Sequence, residues 1–335
     1  MIEKQKEGQH IPAATAFPFG SSVKKKLRIV FMGTPEFAVA SLDKLVKAGH
    51  DIVGVITAPD KPGGRGMELQ QSAVKKYAVA HHFNILQPEK LKNPDFINQL
   101  KSLKADLQIV VAFRMLPEVV WNMPPLGTVN VHGSLLPQYR GAAPINWAII
   151  NGEKRTGVTT FKLKHEIDTG DILMQESFPI EEDDDAGIVH DRMKEIGASL
   201  LLKTIEGIEK KQLQEVPQDV KFSVAANNDH LKHAPKIFTE TCQINWNNKT
   251  ADVYNLVRGL SPYPAAFTTF MGKKLKIFKA TKINSNPGKA AGSFETDERS
   301  FLRFACNDGW LDITELQLEG KKKMLTVDFL RGYRF

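Results

Sequence analysis

The sequence predicts a mostly parallel, doubly wound α/β domain followed by a small all-β barrel. Three observations predict it. At 335 residues the chain exceeds what one hydrophobic core usually serves, so two domains are expected. Its opening alternates apolar strand, amphipathic helix and apolar strand. Its last hundred or so residues break into short β-type segments separated by Gly, Asn and Pro.

The first strand is the apolar run Leu27 to Phe31, broken only by Arg28 and ending at Met32-Gly33. Thr34 offers a hydroxyl N-cap, Pro35 suits the first helical position, and Glu36 favours the positive helix end. Phe37, Val39, Ala40, Leu42, Leu45 and Val46 then form one apolar face, and Gly49 stops the helix. Asp51 to Thr57 reads as the second strand, completing a Rossmann-like start. Further strands are expected at Leu107 to Ala112, Thr128 to Val131 and Gly157 to Leu163, with a long helix from Ala186 to Lys210. The first turn holds one glycine where a dinucleotide site needs GxGxxG, and no GxxxxGK[ST] is present, which disfavours a nicotinamide or ATP enzyme.

Residues 211–235 are polar and weakly periodic and read as a linker. Beyond them, Phe267 to Phe270, Lys274 to Phe278, Gly292 to Phe294, Ser300 to Ala305 and Trp310 to Leu318 are the expected barrel strands, with a helix at Ala251 to Leu260. The expected division is therefore a disordered extension over 1–26, a catalytic domain over 27–210, the linker, and a C-terminal domain over 236–335.

Charge supports this division. The net charge is +7. Residues 221–335 hold 18 Lys and Arg against 11 Asp and Glu, and the first 220 residues hold 27 of each, so the whole excess lies in the last third. Such asymmetry suits a neutral chemical domain joined to a module that meets a polyanion. No apolar run approaches the roughly 20 residues that span a bilayer. Cys242 and Cys306 have no CxxC spacing, and residues 1–26 lack a signal-type apolar core, which fits a reducing cytoplasm.

The densest chemical signal is the run Asn130-Val131-His132-Gly133-Ser134-Leu135-Leu136-Pro137-Gln138-Tyr139-Arg140-Gly141-Ala142-Ala143-Pro144-Ile145. Asn130 and His132 are two apart on an expected strand, so they share a face at its C-terminal end. An amide can donate to a developing oxyanion, and an imidazole can donate or move a proton. His165, Asp168 and Asp171 could be read as metal ligands, but their spacing supports no site, so no metal is expected. Glu181 to Asp185 reads as a solvated acidic loop preceding a helix.

The 130–145 run resembles the hydrolase–formyltransferase family of folate enzymes, in the long form that acts on charged tRNA. Gly157-Val158-Thr159-Thr160 through Ile167-Asp168-Thr169-Gly170-Asp171-Ile172-Leu173 is similar to that family's aspartate motif, and Val110 to Pro117 to its folate-side loop. The resemblance covers about residues 27–335. It implies a Rossmann-like formyltransferase domain and a C-terminal OB-type barrel. It implies 10-formyltetrahydrofolate as co-substrate, methionyl initiator tRNA as acceptor, and N-formylmethionyl-tRNA for translation initiation as product. The catalytic trio falls on Asn130, His132 and Asp168. The folate pocket falls on Ser134, Leu135, Leu136 and Pro137, with Phe113, Met115 and Leu116 as another wall. Phe113-Arg114 stand where many relatives have Tyr-Gly. The loop Pro59 to Leu69 would meet the acceptor end through Arg65, and Lys273, Lys274, Lys321, Lys322 and Lys323 on the barrel would meet tRNA phosphates. A cytoplasmic monomer is expected.

A glycinamide-nucleotide formyltransferase typically has one domain and leaves the basic barrel unexplained. An amino-sugar enzyme fused to a second Rossmann domain needs a longer chain, and a folate hydrolase needs no tRNA module. The remaining alternative, a catalytically dead tRNA-binding module, is opposed by the intact trio.

Overall fold

The computed structural model describes residues 26–63, 68–219 and 231–334. Most of the expected extension, and Arg65 with its neighbours Gly64 and Gly66, lie outside them. The chain opens with β1 (Arg28–Gly33), α1 (Glu36–Lys47) and β2 (Asp51–Ile56). A small hairpin follows, β3 (Lys61–Gly63) and β4 (Glu68–Gln70), then α2 (Ala73–Ala80), β5 (Ile85–Leu86) and α3 (Pro94–Ser102). Next come β6 (Leu107–Val111), α4 (Glu118–Trp121), β7 (Thr128–His132), β8 (Arg140–Gly141) and α5 (Pro144–Ile150). The domain closes with β9 (Arg155–Lys162), β10 (Ile172–Pro179) and α6 (Ala186–Glu209).

The main sheet has the order β10-β9-β7-β6-β1-β2-β5. β7, β6, β1, β2 and β5 run parallel, and β9 and β10 add antiparallel to the β7 edge. Helices cover both faces, which is why β1 and β6 are apolar almost throughout rather than alternating. One core packs α1 and α6 against the sheet through Phe31, Leu42, Leu45, Val131 and Leu201. Another packs α3 and α4 on the opposite face through Met32, Phe96, Leu100 and Val120. The order of connections reverses between β1 and β6. Open α/β sheets bind ligands beyond the strand ends at such a point.

Local signals explain α1, with one correction. Pro35, not Thr34, occupies the N-cap, and no side chain caps the helix. At the other end Gly49 has φ of 76°, and its N–H and that of His50 return to the carbonyls of Val46 and Leu45, as expected of a terminating glycine.

The chain re-enters with β11 (His233–Ala234), then α7 (Thr250–Leu260), β12 (Ala266–Phe270), β13 (Lys273–Ile283) and β14 (Phe294–Thr296). It ends with β15 (Leu302–Ala305), β16 (Trp310–Leu318), β17 (Met324–Leu325) and α8 (Thr326–Gly332). These strands form one antiparallel sheet, β12-β13-β16-β15-β14, with β17 on β16. It curls around Trp246, Phe270, Phe304 and Leu311 in an OB-like arrangement, closed by Val253, Val257 and Leu260 of α7.

Two regions differ from their expected form. The stretch 211–235, expected as a linker, is built into the first domain at both described ends. Val216 exchanges two backbone hydrogen bonds with Ile172, and β11 pairs with β8 in parallel. The acidic loop Glu181 to Asp185 is not simply solvated. Asp185 does cap α6, accepting from the N–H of Ile188. Asp184, however, is buried, with its carboxylate held by both terminal nitrogens of Arg192. Arg258 of α7 is also buried and donates to the carbonyls of Glu181 and Asp184, while the Tyr254 hydroxyl reaches Asp183. Lys282 pairs with Glu182 on the surface. The acidic residues are spent on docking the two domains, because the second domain brings two cations and a phenol to them. Burial pushes the Tyr254 phenol up to about 12, and Asp183 adds to the shift.

Replacing Arg258 by Leu takes the guanidinium donor from the buried Asp184 carbonyl, at about 1–3 kcal/mol, while the Glu181 carbonyl keeps the N–H of Asp184. Urea denaturation of Arg258→Leu is expected to show a loss of about 1–3 kcal/mol. A stability within about 0.5 kcal/mol of wild type contradicts the docking role.

Candidate active site

The site forms where β7 runs out. Asn130 and His132 project from the same face of that strand, as the period of two requires. Asn130 faces Val110 on β6 and Phe161 on β9 across the sheet. His132 is nearly buried, edge-on to the Phe161 ring with centroids 6.4 Å apart. Its Nε2 lies 2.9 Å from the backbone carbonyl of Tyr139. A carbonyl only accepts, so Nε2 carries the proton and donates. The other nitrogen, Nδ1, lies 3.8 Å from Oδ2 of Asp168. That distance is too long for a direct hydrogen bond and leaves Nδ1 open to a group entering from the cleft.

Asp168 arrives from the loop between β9 and β10. Its backbone is left-handed, with φ of 54°, a region few residues other than glycine adopt and one that Asp tolerates. Oδ2 accepts the N–H of Gly141 at 3.0 Å. Ala112, which lines the cleft, and Tyr139, whose carbonyl holds His132, are left-handed too, with φ of 47° and 60°. Strained backbone at three points around one cleft is a mark of a functional site.

The cleft holds about 620 Å³ and is bounded by Asn130, His132 and Asp168 on its polar side. Val110, Phe113, Met115, Leu116, Trp121 and Leu163 supply an apolar wall. Of these Met115 stands 73% exposed at the mouth and Leu116 is buried. Arg114 also lines the cleft and donates to the carbonyls of Glu89 and Pro88. Burial draws its guanidinium below the usual range. A largely apolar slot with a few convergent polar groups suits a flat heteroaromatic ligand. Among the described residues no three His, Cys, Asp or Glu side chains cluster as a metal site.

The structure brings Asn130, His132, Asp168, Phe113, Met115 and Leu116 together. It does not bring Ser134, Leu135, Leu136 and Pro137 to the cleft. Ser134 and Leu136 are fully buried: the Ser134 hydroxyl donates to the Gln138 carbonyl, and Leu136 packs on Phe161 and Ile172. Pro137 is buried with them, and Leu135 lies against Gly157. The apolar side chains of this loop are packed into the core, and its backbone returns Tyr139 to His132. Sequence reasoning missed Tyr139 and Gly141. Gly141 alone carried a local signal, in the glycine that follows the Leu-Leu-Pro run.

The expected phosphate contacts are distributed unevenly. Lys273 and Lys274 open β13, beside the turn that holds Lys321 and Lys322, and all are exposed. Lys323 is already engaged, paired with Glu315 at 3.0 Å and placed over the Phe278 ring.

An amide, an imidazole and a carboxylate converging beyond a parallel strand, above an apolar slot, define an acyl-transfer site on a Rossmann-like domain. The chain belongs to the formyl transferase family: the formyl transferase domain matches residues 27–205 and the formyl transferase C-terminal domain residues 236–334. It is similar to methionyl-tRNA formyltransferase of Bacteroides fragilis, 53% identical over 315 residues, covering 92% of this chain and 96% of that one. The same-named protein of Parabacteroides distasonis is 54% identical over 93% of this chain and 97% of its own length. That of Flavobacterium johnsoniae is 46% identical over 93% and 98%. Among solved structures, the sugar 3N-formyl transferase WlaRD superposes with a TM-score of 0.64 at 21% identity, over 89% of this chain and all of that one. HypX from Aquifex aeolicus, in complex with tetrahydrofolic acid, superposes at 0.61 and 22% identity over 91% of this chain and 47% of that one. These two likenesses establish the fold.

Gly141 has φ of 125°, and a Cβ there meets the Ala234 carbonyl oxygen at 2.4 Å. Gly141→Ala is expected to displace the backbone N–H that holds Asp168, lowering kcat about tenfold or more with a thermal midpoint several degrees down. Wild-type turnover in that variant contradicts the geometry described.

Proposed function

We propose that the protein transfers the formyl group of 10-formyltetrahydrofolate to the amino group of methionyl initiator tRNA, giving N-formylmethionyl-tRNA for translation initiation. The observation that carries the reading is the cleft itself, in a chain about half identical over nearly its whole length to proteins named for that reaction. In this reading residues 27–210 perform the transfer and residues 236–335 receive the tRNA, in a cytoplasmic monomer. No helix among the described residues is long and apolar enough to cross a membrane.

The chemistry follows from what each group can do. The attacking amine must be neutral. Free α-amino groups titrate near 8, roughly, and the adjacent ester lowers that by induction. Holding amine and formyl carbon together contributes the largest entropic gain. As the nitrogen–carbon bond forms, negative charge builds on the formyl oxygen. Asn130 is the donor for that oxygen: its amide faces the cleft and has no hydrogen-bond partner among the described residues. His132 supplies the second polar group, with Nε2 committed to Tyr139 and Nδ1 turned towards Asp168 and the cleft. Asp168 compensates positive charge on the imidazole as a proton passes from the amine towards the departing folate nitrogen. The carbon–nitrogen bond to folate then breaks, and atoms balance with no metal and no covalent enzyme intermediate. The wall of Phe113, Met115 and Leu116 is the pterin side of the slot.

The tRNA side rests on charge and shape. A second cleft of about 430 Å³ lies where the domains meet and shares Ala142, Ala143 and Asn146 with the first. Lys236, Lys274 and Lys276 line it with Phe238 and Tyr263, and no carboxylate among the described residues does. This groove, continued by Lys273, Lys321 and Lys322, is the path of the acceptor strand. Arg65 lies outside the described residues and is assigned to the same path on the resemblance alone.

Parallel assays with labelled formyl-folate and methionyl initiator tRNA, charged elongator tRNA, glycinamide nucleotide and amino sugar test the acceptor. Transfer confined to the initiator is expected; preference for either small acceptor contradicts the reading. His132→Ala is expected to lower kcat by about 10² or more, the scale of a lost transition-state donor. Turnover near wild type removes His132 from the mechanism.

A further inference from the structure

The described ends of residues 211–235 close on the 138–142 segment from two sides. From one side, Tyr139 donates its N–H to the Lys232 carbonyl at 2.7 Å and Ala142 to that of Ala234 at 2.7 Å. From the other, Gln218 reaches in from beside the Val216–Ile172 bridge. Its side chain is buried, and every polar valence visible on it is used. The amide nitrogen donates to the carbonyls of Asp168 and Gly170, both at 2.8 Å. The amide oxygen accepts Nε and Nη2 of Arg140 at 2.9 and 2.6 Å. Arg140 and Gly141 form β8, and the Gly141 N–H holds the Asp168 carboxylate.

We propose that Gln218 is a positioning residue for formyl transfer, setting the Asp168 carboxylate opposite His132 by tying its loop to β8. The proposal rests on the reading of Asp168 as a member of the catalytic trio. Three features support it beyond packing. The two carbonyls lie on either side of Thr169, in the turn whose first residue holds a left-handed backbone, so the donors act where that conformation needs fixing. One side chain links both loops that carry the carboxylate and its backbone donor, which makes the 3.8 Å spacing to His132 a shared property of the two. An amide alone serves, because the site demands two donors towards carbonyls and one acceptor towards a guanidinium. The stretch between the domains is thereby part of the catalytic framework. Gln218 touches neither substrate.

Two variants separate the halves of the amide. Gln218→Met removes donors and acceptor. Gln218→Glu keeps an acceptor for Arg140 and removes both donors. Each is expected to lower kcat for methionyl-tRNA formylation about tenfold or more, with the KM values for folate and tRNA changed less than threefold and thermal melts confirming a folded chain. The deciding measurement is a cycle with Asp168→Asn. Gln218 acts through Asp168, so Gln218→Met is expected to cost less than twofold in the Asp168→Asn background. Equal costs in both backgrounds overturn the proposal, as does wild-type kcat in Gln218→Met or in Gln218→Glu. If Asp168→Asn itself turns over at the wild-type rate, the catalytic trio falls and this proposal with it. Loss in Asp168→Asn with full turnover in the Gln218 variants overturns this proposal alone.

Discussion

The bond between His132 and the backbone carbonyl of Tyr139 is the constraint from which the site follows. It commits one imidazole nitrogen as a donor and so determines which nitrogen is left for chemistry. It also obliges the chain to leave β7, turn through Gly133 to Gln138 and come back against the strand it left. That return requires the left-handed backbone at Tyr139 and the glycine at 141, and it presents the Gly141 N–H where Asp168 needs it. A free imidazole in an open cleft has no such geometry. Much of the surrounding architecture can be understood as the cost of making this loop rigid: the Ser134 hydroxyl on Gln138, the Thr159 hydroxyl on the Leu136 N–H, and the two sides of the inter-domain stretch.

How much of this was legible beforehand depended on whether the signal was local. Strands β1, β2 and β6 were legible because burial on both sheet faces writes apolar runs, β7 and β9 because β-branched residues recur along them, and helix α6 because a long amphipathic helix writes a period. Asn130, His132 and Asp168 were legible as motif residues, and the shared face of the first two followed from strand periodicity alone. Their convergence with Asp168 was not, since it depends on a loop 36 residues after His132 in the chain. The side chains from Ser134 to Pro137 do not line the cleft for a physical reason: leucines suit a pterin slot and a protein core equally, and here Leu136 packs into the core with Phe161 and Ile172. Gln218 gave no signal because a glutamine in a polar stretch is ordinary. Only the carbonyls and guanidinium it meets make it distinctive.

The acidic loop teaches the same lesson about charge. Five consecutive acidic residues look solvated in the sequence, yet Arg258, Tyr254 and Lys282 from the other domain turn them into a docking surface. Charge counted over the whole chain is therefore a poor guide to what remains for a ligand. Lys323 and Lys282 are consumed internally, whereas Lys236, Lys274 and Lys276 form no ion pair among the described residues and stand together at the junction. The docking that uses up the first set is what assembles the second set into a groove that opens onto the catalytic cleft. Domain association and the proposed acceptor groove are in this way two uses of one charge distribution.

The most direct test of the central claim is a crystal structure of the protein with a formyl-folate that cannot transfer. The account predicts the pterin against Phe113, Met115 and Leu116, and the formyl oxygen about 3 Å from the Asn130 amide nitrogen, with the formyl carbon facing the junction groove. A folate bound in that groove instead, or a formyl group beyond reach of Asn130 and His132, contradicts it.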